Sequence, residues 1–171
     1  MTTNDLGEIT EQVLVDLEVA IEEAEATVAH SKLPTVVCDA LQMRQLFQNL
    51  VGNALKFRRP DVAPEITITS IFTPRSNEPD ADADDGWYDI AVTDNGIGFD
   101  ETYVNKIFAP FQRLHGRLDY DGSGVGLSVC RSIVERHHGT ITATSEPDEG
   151  STFTVRLPSR PVSETNTGTD N

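Results

Sequence analysis

Four residues, Gln45, Asn49, Asn53 and Lys56, fall within one arc of about 80° if residues 40 to 57 are helical. Met43, Leu46, Phe47, Leu50, Ala54 and Phe57 occupy the opposite arc, a face suited to packing. A polar helical stripe is usually a solvated surface. Solvated faces, however, favour Glu, Lys and Arg, which form helix well and pair at i,i+4. Three carboxamides followed by a lysine suit a ligand better. A carboxamide oxygen can ligate Mg²⁺, and a lysine one turn on can meet a phosphate.

Two further stretches carry related chemistry. In DNGIGFD, residues 94 to 100, Asp94 stands at the end of an alternating segment and two glycines follow. Taken alone it reads as an Asn-Gly hairpin turn. A buried carboxylate there would accept a hydrogen bond from the exocyclic amine of adenine, whereas guanine presents a carbonyl oxygen that it would repel. Gly96 and Gly98 would let a flat ring approach the backbone. In DYDGSGVGLSVCRSIVERHHG, residues 119 to 139, Gly122, Gly124 and Gly126 precede a helical apolar spacing. A glycine run feeding a helix N-terminus exposes N–H groups to an anion. It is not a Rossmann fingerprint, because no strand directly precedes it and the spacing differs. Nor is it a P-loop, because Leu127 and Ser128 stand where Lys and Ser/Thr are required. Together the three stretches suit an adenine pocket, a metal-and-phosphate helix and a glycine loop over phosphates.

The elements that must position them follow from periodicity. Residues 6 to 26 have apolar residues at Val13, Leu17, Ala20, Ile21 and Ala24, predicting a helix. TVAH and PTVVCD read as a short hairpin or paired strands. EITITSIF and WYDIAVTD alternate as strands joined by a long polar tip, and GTITATS and STFTVRL form a final pair. The tip contains DADADDG at residues 80 to 86. Its glycine is one place late for an EF-hand and Ala91 stands where a bidentate Glu is needed, so it reads as a solvated acidic loop.

The chain has 171 residues, 28 acidic against 13 Lys and Arg, and a net charge of −15. That length fits one domain with ends. The charge disfavours nucleic acid and anionic membranes, and any anion site must concentrate positive charge locally or borrow a metal. A lysine-poor acidic surface also suits a salt-rich cytoplasm. No apolar run is long enough to span a bilayer, and the N-terminus lacks a basic, greasy signal. Cys38 and Cys130 lie in apolar surroundings and read as buried free thiols, which points to a cytoplasmic location.

QLFQNLVGNALKF, DNGIGFD, IFAPFQRL, GSGVGLSVCRSIVERHHGTI and EGSTF stand in the order of the N, G1, F, G2 and last-strand motifs of sensor histidine kinases. The chain resembles the catalytic ATP-binding domain of that family. The run FQRLHG…YDGSGVGLSVCRSIVERHHG is similar to the phytochrome-like branch. The resemblance implies the fold shared with gyrase, mismatch-repair and heat-shock-chaperone ATPases, the Bergerat fold. That is a two-layer α/β sandwich, with a mixed, mainly antiparallel sheet of about five strands under three helices and a mobile ATP lid. It implies residues 1–9 as the end of a linker, 10–158 as the catalytic domain and 159–171 as a disordered tail.

By position, the resemblance gives Asn53, assisted by Asn49, as Mg²⁺ ligands and Lys56 as a phosphate contact. It gives Asp94 as the adenine-selecting carboxylate, with Gly96 and Gly98 beside the ring. Phe108 and Phe111 match the aromatics that anchor the lid, and Arg113 and Arg117 lie in the lid within reach of phosphates. Gly122, Gly124 and Gly126 match its glycine hinge, Leu127 follows them, and Thr152 stands near the base edge. ATP and Mg²⁺ are the implied cofactors. The implied partner is a dimerising helical hairpin that carries the phosphoacceptor histidine, with a response regulator downstream.

None of the histidines His30, His115, His137 and His138 sits in a phosphoacceptor motif. A hydrolase of this fold would carry a glutamate one turn before the metal-binding asparagine. Asn49 stands there, and a carboxamide cannot take a proton. A protein serine kinase of the anti-sigma-factor type and a non-catalytic nucleotide-binding module remain as alternatives.

Overall fold

The computed structural model describes residues 1–100, 107–108 and 126–162. The alternating segments form a five-stranded mixed sheet. In spatial order it runs β2 (Thr27–His30), β4 (Glu65–Pro74), β5 (Gly86–Asp94), β7 (Gly150–Pro158) and β6 (Thr140–Glu146). β2 runs parallel to β4 and every other pairing is antiparallel. A helical layer of α1 (Leu6–Asp16), α2 (Glu18–Glu23), α3 (Ala40–Lys56) and α4 (Gly126–Arg136) completes the two-layer sandwich.

Strand periodicity sets the division between the layers. Ile66, Ile68, Ile90, Val92, Phe153, Val155 and Leu157 are buried at alternate positions, and Met43, Leu46, Phe47, Leu50, Val51, Ala54 and Leu55 of α3 are buried with them. The opposite sheet face carries rows such as Thr67, Thr93, Thr152 and Thr144 across neighbouring strands. β-Branched hydroxyl residues suit a half-exposed pleated surface.

Asp39 caps α3, its carboxylate accepting from the N–H of Gln42 at 3.0 Å. α4 ends in a Schellman turn: the N–H of Gly139 reaches Val134 O and that of His138 reaches Glu135 O, both at 3.0 Å, with His138 at φ 59°. Gly139 is required just beyond, because a Cβ there would lie 2.0 Å from Arg156 O.

Three expectations change. TVAH and PTVVCD do not pair with each other: β2 joins β4, while β3 (Thr35–Cys38) pairs antiparallel with β1 (Thr2–Asp5) in a separate two-stranded sheet. Two four-residue strands carry too little pattern to specify a partner. The helix expected over 6 to 26 is interrupted at Leu17, whose ψ of 7° is not helical, although its N–H still reaches Val13 O. Residues 1–9, expected as the end of a linker, hold β1 and the first turn of α1, with Leu6 fully buried. At the other end, Ser159 is tied to the β5 strand by its N–H to Gly86 O (2.9 Å) and by Gly86 N–H to its hydroxyl (2.9 Å). Cys38 and Cys130 are both free and buried.

Candidate nucleotide site

A small pocket, partly open to solvent, lies between the helical layer and the sheet. Asn53, Ala54 and Phe57 of the α3 end line one side, Leu127 of α4 another, and Asp94, Gly98, Phe99, Ser151 and Phe153 the floor. The lining is mainly apolar with a few convergent polar groups, the composition of a small-molecule site.

Asp94 is its most distinctive group. The carboxylate ends β5, and its Oδ1 accepts the N–H of Gly96 at 2.9 Å. Burial pushes its carboxyl above the ordinary carboxylate range, opposed by backbone N–H groups of Gly96 and Ser151. Desolvation wins over the two donors, so the charge is held at a free-energy cost that an external donor can relieve.

The turn after Asp94 is wedged between two backbone segments. A Cβ on Gly96 would lie 2.5 Å from Phe57 O, one on Gly98 would lie 2.1 Å from Glu146 O, and one on Gly150 would lie 2.0 Å from Asp94 O. Gly98 also has φ +65°. The glycines expected to admit a flat ring are therefore already required by close packing of backbone on backbone. Gly98 nevertheless lines the pocket, whereas Gly96 holds Asp94.

On α3, Asn53 faces the pocket, but the rest of the polar stripe divides. Asn49 donates through Nδ2 to Gly126 O at 3.3 Å, joining α3 to the first residue of α4. The nearby Cys130 thiol, 3.9 Å from Leu46 O, is pushed up to about 12 by burial, with Asn49 opposing the rise. Gln45 lies farther along, in a groove between α3 and α4 with Ser128, Ser132 and Arg136. The Lys56 ammonium sits 5.5 Å from the centroid of the Phe57 ring, outside the pocket lining.

Thr152 is a correction. Strand alternation turns its side chain to the outer sheet face, where its hydroxyl meets that of Thr93 at 3.1 Å. Ser151, one residue earlier, faces the pocket and was missed. The alternation of Phe153, Val155 and Leu157 on the buried side carries the signal that would have found it. Phe108 is buried and packs edge-on against Phe153, with centroids 6.2 Å apart. Gly126 opens α4 and Leu127 lines the pocket. Phe111, Arg113, Arg117, Gly122 and Gly124 lie outside the described residues, as does most of the segment expected to form the lid, residues 99 to 122.

The donor set bears on a metal. Among the described residues no group of three or more His, Cys, Asp or Glu side chains could hold an ion. Apart from the Asp94 carboxylate and the Ser151 hydroxyl on the sheet side, the oxygens that α3 offers are carboxamides, hard and neutral. Such a set fits Mg²⁺ that is held chiefly by phosphates and water and takes only one or two protein ligands. It does not fit an all-protein cage.

The model for the histidine kinase-, DNA gyrase B-, and HSP90-like ATPase family matches residues 38–161, and the chain belongs to that family. The phytochrome-like protein Cph1 of Synechocystis is 40% identical over 158 residues, 92% of this chain and 20% of that protein. The adaptive-response sensory kinase SasA of Prochlorococcus marinus is 35% identical over 158 residues, 90% of this chain and 40% of its own length. The chain thus spans between a fifth and two fifths of these relatives. Among solved structures, the nucleotide-free catalytic domain of the histidine kinase ThkA has a TM-score of 0.71 at 26% identity, covering 94% of this chain and 98% of that one. Full-length ShkA in complex with AMPPNP shares the fold, with a TM-score of 0.72 at 24% identity over 92% of this chain and 30% of that one. This is a nucleotide-binding catalytic domain of the histidine-kinase type. Among the described residues no helix is long and apolar enough to cross a membrane.

Proposed function

We propose that the pocket binds Mg-ATP and that the domain transfers the γ-phosphoryl group to a histidine on a separate dimerisation hairpin, from which a response regulator is charged. The observation that carries the nucleotide reading is Asp94: a half-buried carboxylate at a strand end, held by two backbone N–H groups in a mainly apolar pocket. Its free acceptor capacity suits the exocyclic amine of adenine and opposes guanine.

Asn53, with Asn49, would hold the metal, which when bound offsets phosphate charge in a chain of net −15. Lys56 would swing from Phe57 toward the phosphates, a motion its four-carbon stem allows. Phe99, Phe153 and Leu127 exclude water from the base. Gly122, Gly124, Arg113 and Arg117 are proposed as the hinge and cations of a lid. Phosphoryl transfer depends mainly on positioning and charge stabilisation, which such a set supplies once a nucleophile stands in line.

Calorimetric titration with Mg-ATP and Mg-GTP tests the reading. ATP should bind at least tenfold more tightly, as expected for one charge-assisted hydrogen bond replaced by a repulsion. Equal affinities would overturn the assignment of Asp94.

A further inference from the structure

Asn95 lies between Asp94 and Gly96, and all three of its remaining polar functions point away from the pocket toward the segment that links α3 to β4. Its Oδ1 accepts the N–H of Glu65 at 2.8 Å. Its Nδ2 donates to Ala63 O at 3.1 Å. Its carbonyl oxygen accepts from Nε of Arg59 at 2.9 Å. Two residues on, the N–H of Ile97 reaches Phe57 O at 3.0 Å. The turn is thus fastened at Asn95 and Ile97 to residues 57–65, while the N–H between those anchors, that of Gly96, points back onto Asp94.

We infer that Asn95 and Arg59 form a clamp that sets the orientation of the Asp94 carboxylate, and so act as positioning residues for adenine selection; this rests on the nucleotide reading above. The same segment begins where α3 ends, so the clamp also fixes the base-reading carboxylate relative to Asn53 on the last turns of α3. A carboxamide suits position 95 because it must accept from one backbone group and donate to another. A carboxylate there would face the Ala63 carbonyl with an oxygen. Arg59 suits its place because a guanidinium Nε donates along a fixed direction.

The test is the selectivity ratio, GTP Kd over ATP Kd, measured by calorimetry on the 171-residue chain with folding checked by circular dichroism. Asn95→Asp should weaken ATP binding about tenfold, the scale of one or two lost hydrogen bonds, and shrink the ratio by a similar factor. GTP gains nothing from an oriented Asp94, so its affinity should change little. Arg59→Ala should act in the same direction by a few fold. Arg58→Ala removes a guanidinium that bonds Leu55 O at 2.8 Å, away from Asn95, and should leave the ratio unchanged. General loosening of the fold would weaken both nucleotides in parallel, and that result, or an unchanged ratio in folded Asn95→Asp, would overturn the clamp. If Asn95→Asp does not fold, Arg59→Ala decides, because an unaltered ratio there removes the second anchor of the inference. Absence of ATP binding by the unaltered chain would instead sink the nucleotide reading, and the clamp with it.

Discussion

The backbone N–H of Asp39 donates to Nε2 of His137 at 3.1 Å, joining the N-cap of α3 to the C-cap of α4. Nδ1 of the same ring lies 2.7 Å from Ile133 O, so the neutral tautomer with its proton on Nδ1 satisfies both contacts. His137 is 4% exposed. His137→Ala should therefore cost about 2–4 kcal/mol, from an orphaned buried N–H, a lost carbonyl contact and a cavity. Urea unfolding checks this, and a loss below about 1 kcal/mol would mean that the ring merely fills space.

Asp94→Asn should separate binding from stability. An Asn at 94 still accepts the Gly96 N–H, but it no longer carries a charge into the pocket. Burial raises the folded pKa of Asp94 above 3.8, so the folded chain takes up this proton more readily than the unfolded one. The associated stability is present below 3.8 and is lost as pH rises through the raised value, leaving a standing penalty at neutral pH. The variant should then be at least as stable as the parent at pH 7 while binding ATP tenfold or more weakly. Denaturant midpoints and ATP titrations on the same preparation check both halves.

His30 gives a pH dependence of the same sign in a higher window. Its ring nitrogens face the Glu11 carboxylate at 2.5 Å and the Ser31 carbonyl at 2.8 Å, two acceptors that only the imidazolium satisfies together. The hydrogen bond to Glu11, then that to Ser31, raise its pKa above 6.5. This link between α1 and β2 is fully present below 6.5 and is lost as pH rises through the raised value. Glu11 is 65% exposed, so the contribution is at most about 1 kcal/mol and falls with salt. His30→Gln should remove the part of the stability profile that falls away as pH rises above 6.5, as followed by thermal melts at low ionic strength.

Two glycines should respond in opposite senses to alanine. At Gly98, φ is +65° and a Cβ would meet Glu146 O at 2.1 Å, so Gly98→Ala should destabilise by more than about 3 kcal/mol and abolish nucleotide binding. At Gly52, inside α3, nothing lies within 4 Å of the added Cβ. Gly52→Ala should stabilise by about 0.5–1 kcal/mol through helix propensity. Melting temperatures of the pair give the comparison directly.

These sites also mark what is readable without coordinates. The α3 face, the β4–β5 hairpin and the β6–β7 pair follow from apolar periods of 3.6 and 2, because each buries one side. The partner of β2 does not follow, since pairing with β4 is decided by residues far along the chain. Asp94 is legible from its strand-end position and its glycines. Why those glycines are needed is not, because Phe57 O and Glu146 O approach from distant segments. Ser151 follows from simple alternation with Phe153, Val155 and Leu157, whereas the family resemblance implies Thr152. The Asn95 contacts depend on a loop whose sequence, RRPDVAP, has no period at all.

The last prediction concerns turnover. The chain alone should hydrolyse ATP slowly and should not label itself, yet should phosphorylate a histidine supplied on a separate hairpin. Asn49 occupies the place of a general base, and its carboxamide is engaged with Gly126 O, so water lacks an activator. Of the described histidines, His137 is enclosed between α3 and α4, His30 is held by Glu11, and His138 forms the left-handed turn after α4. None is presented toward Asn53 or the pocket lining. Incubation with γ-labelled ATP, with and without a purified dimerisation hairpin from a related sensor kinase, reads both expectations at once. Acid-labile label should appear on the hairpin only when both proteins are present, and Asn53→Ala should abolish it. Label on this chain alone would overturn the assignment of a separate acceptor. Rapid phosphate release without an acceptor would show that some group other than Asn49 activates water.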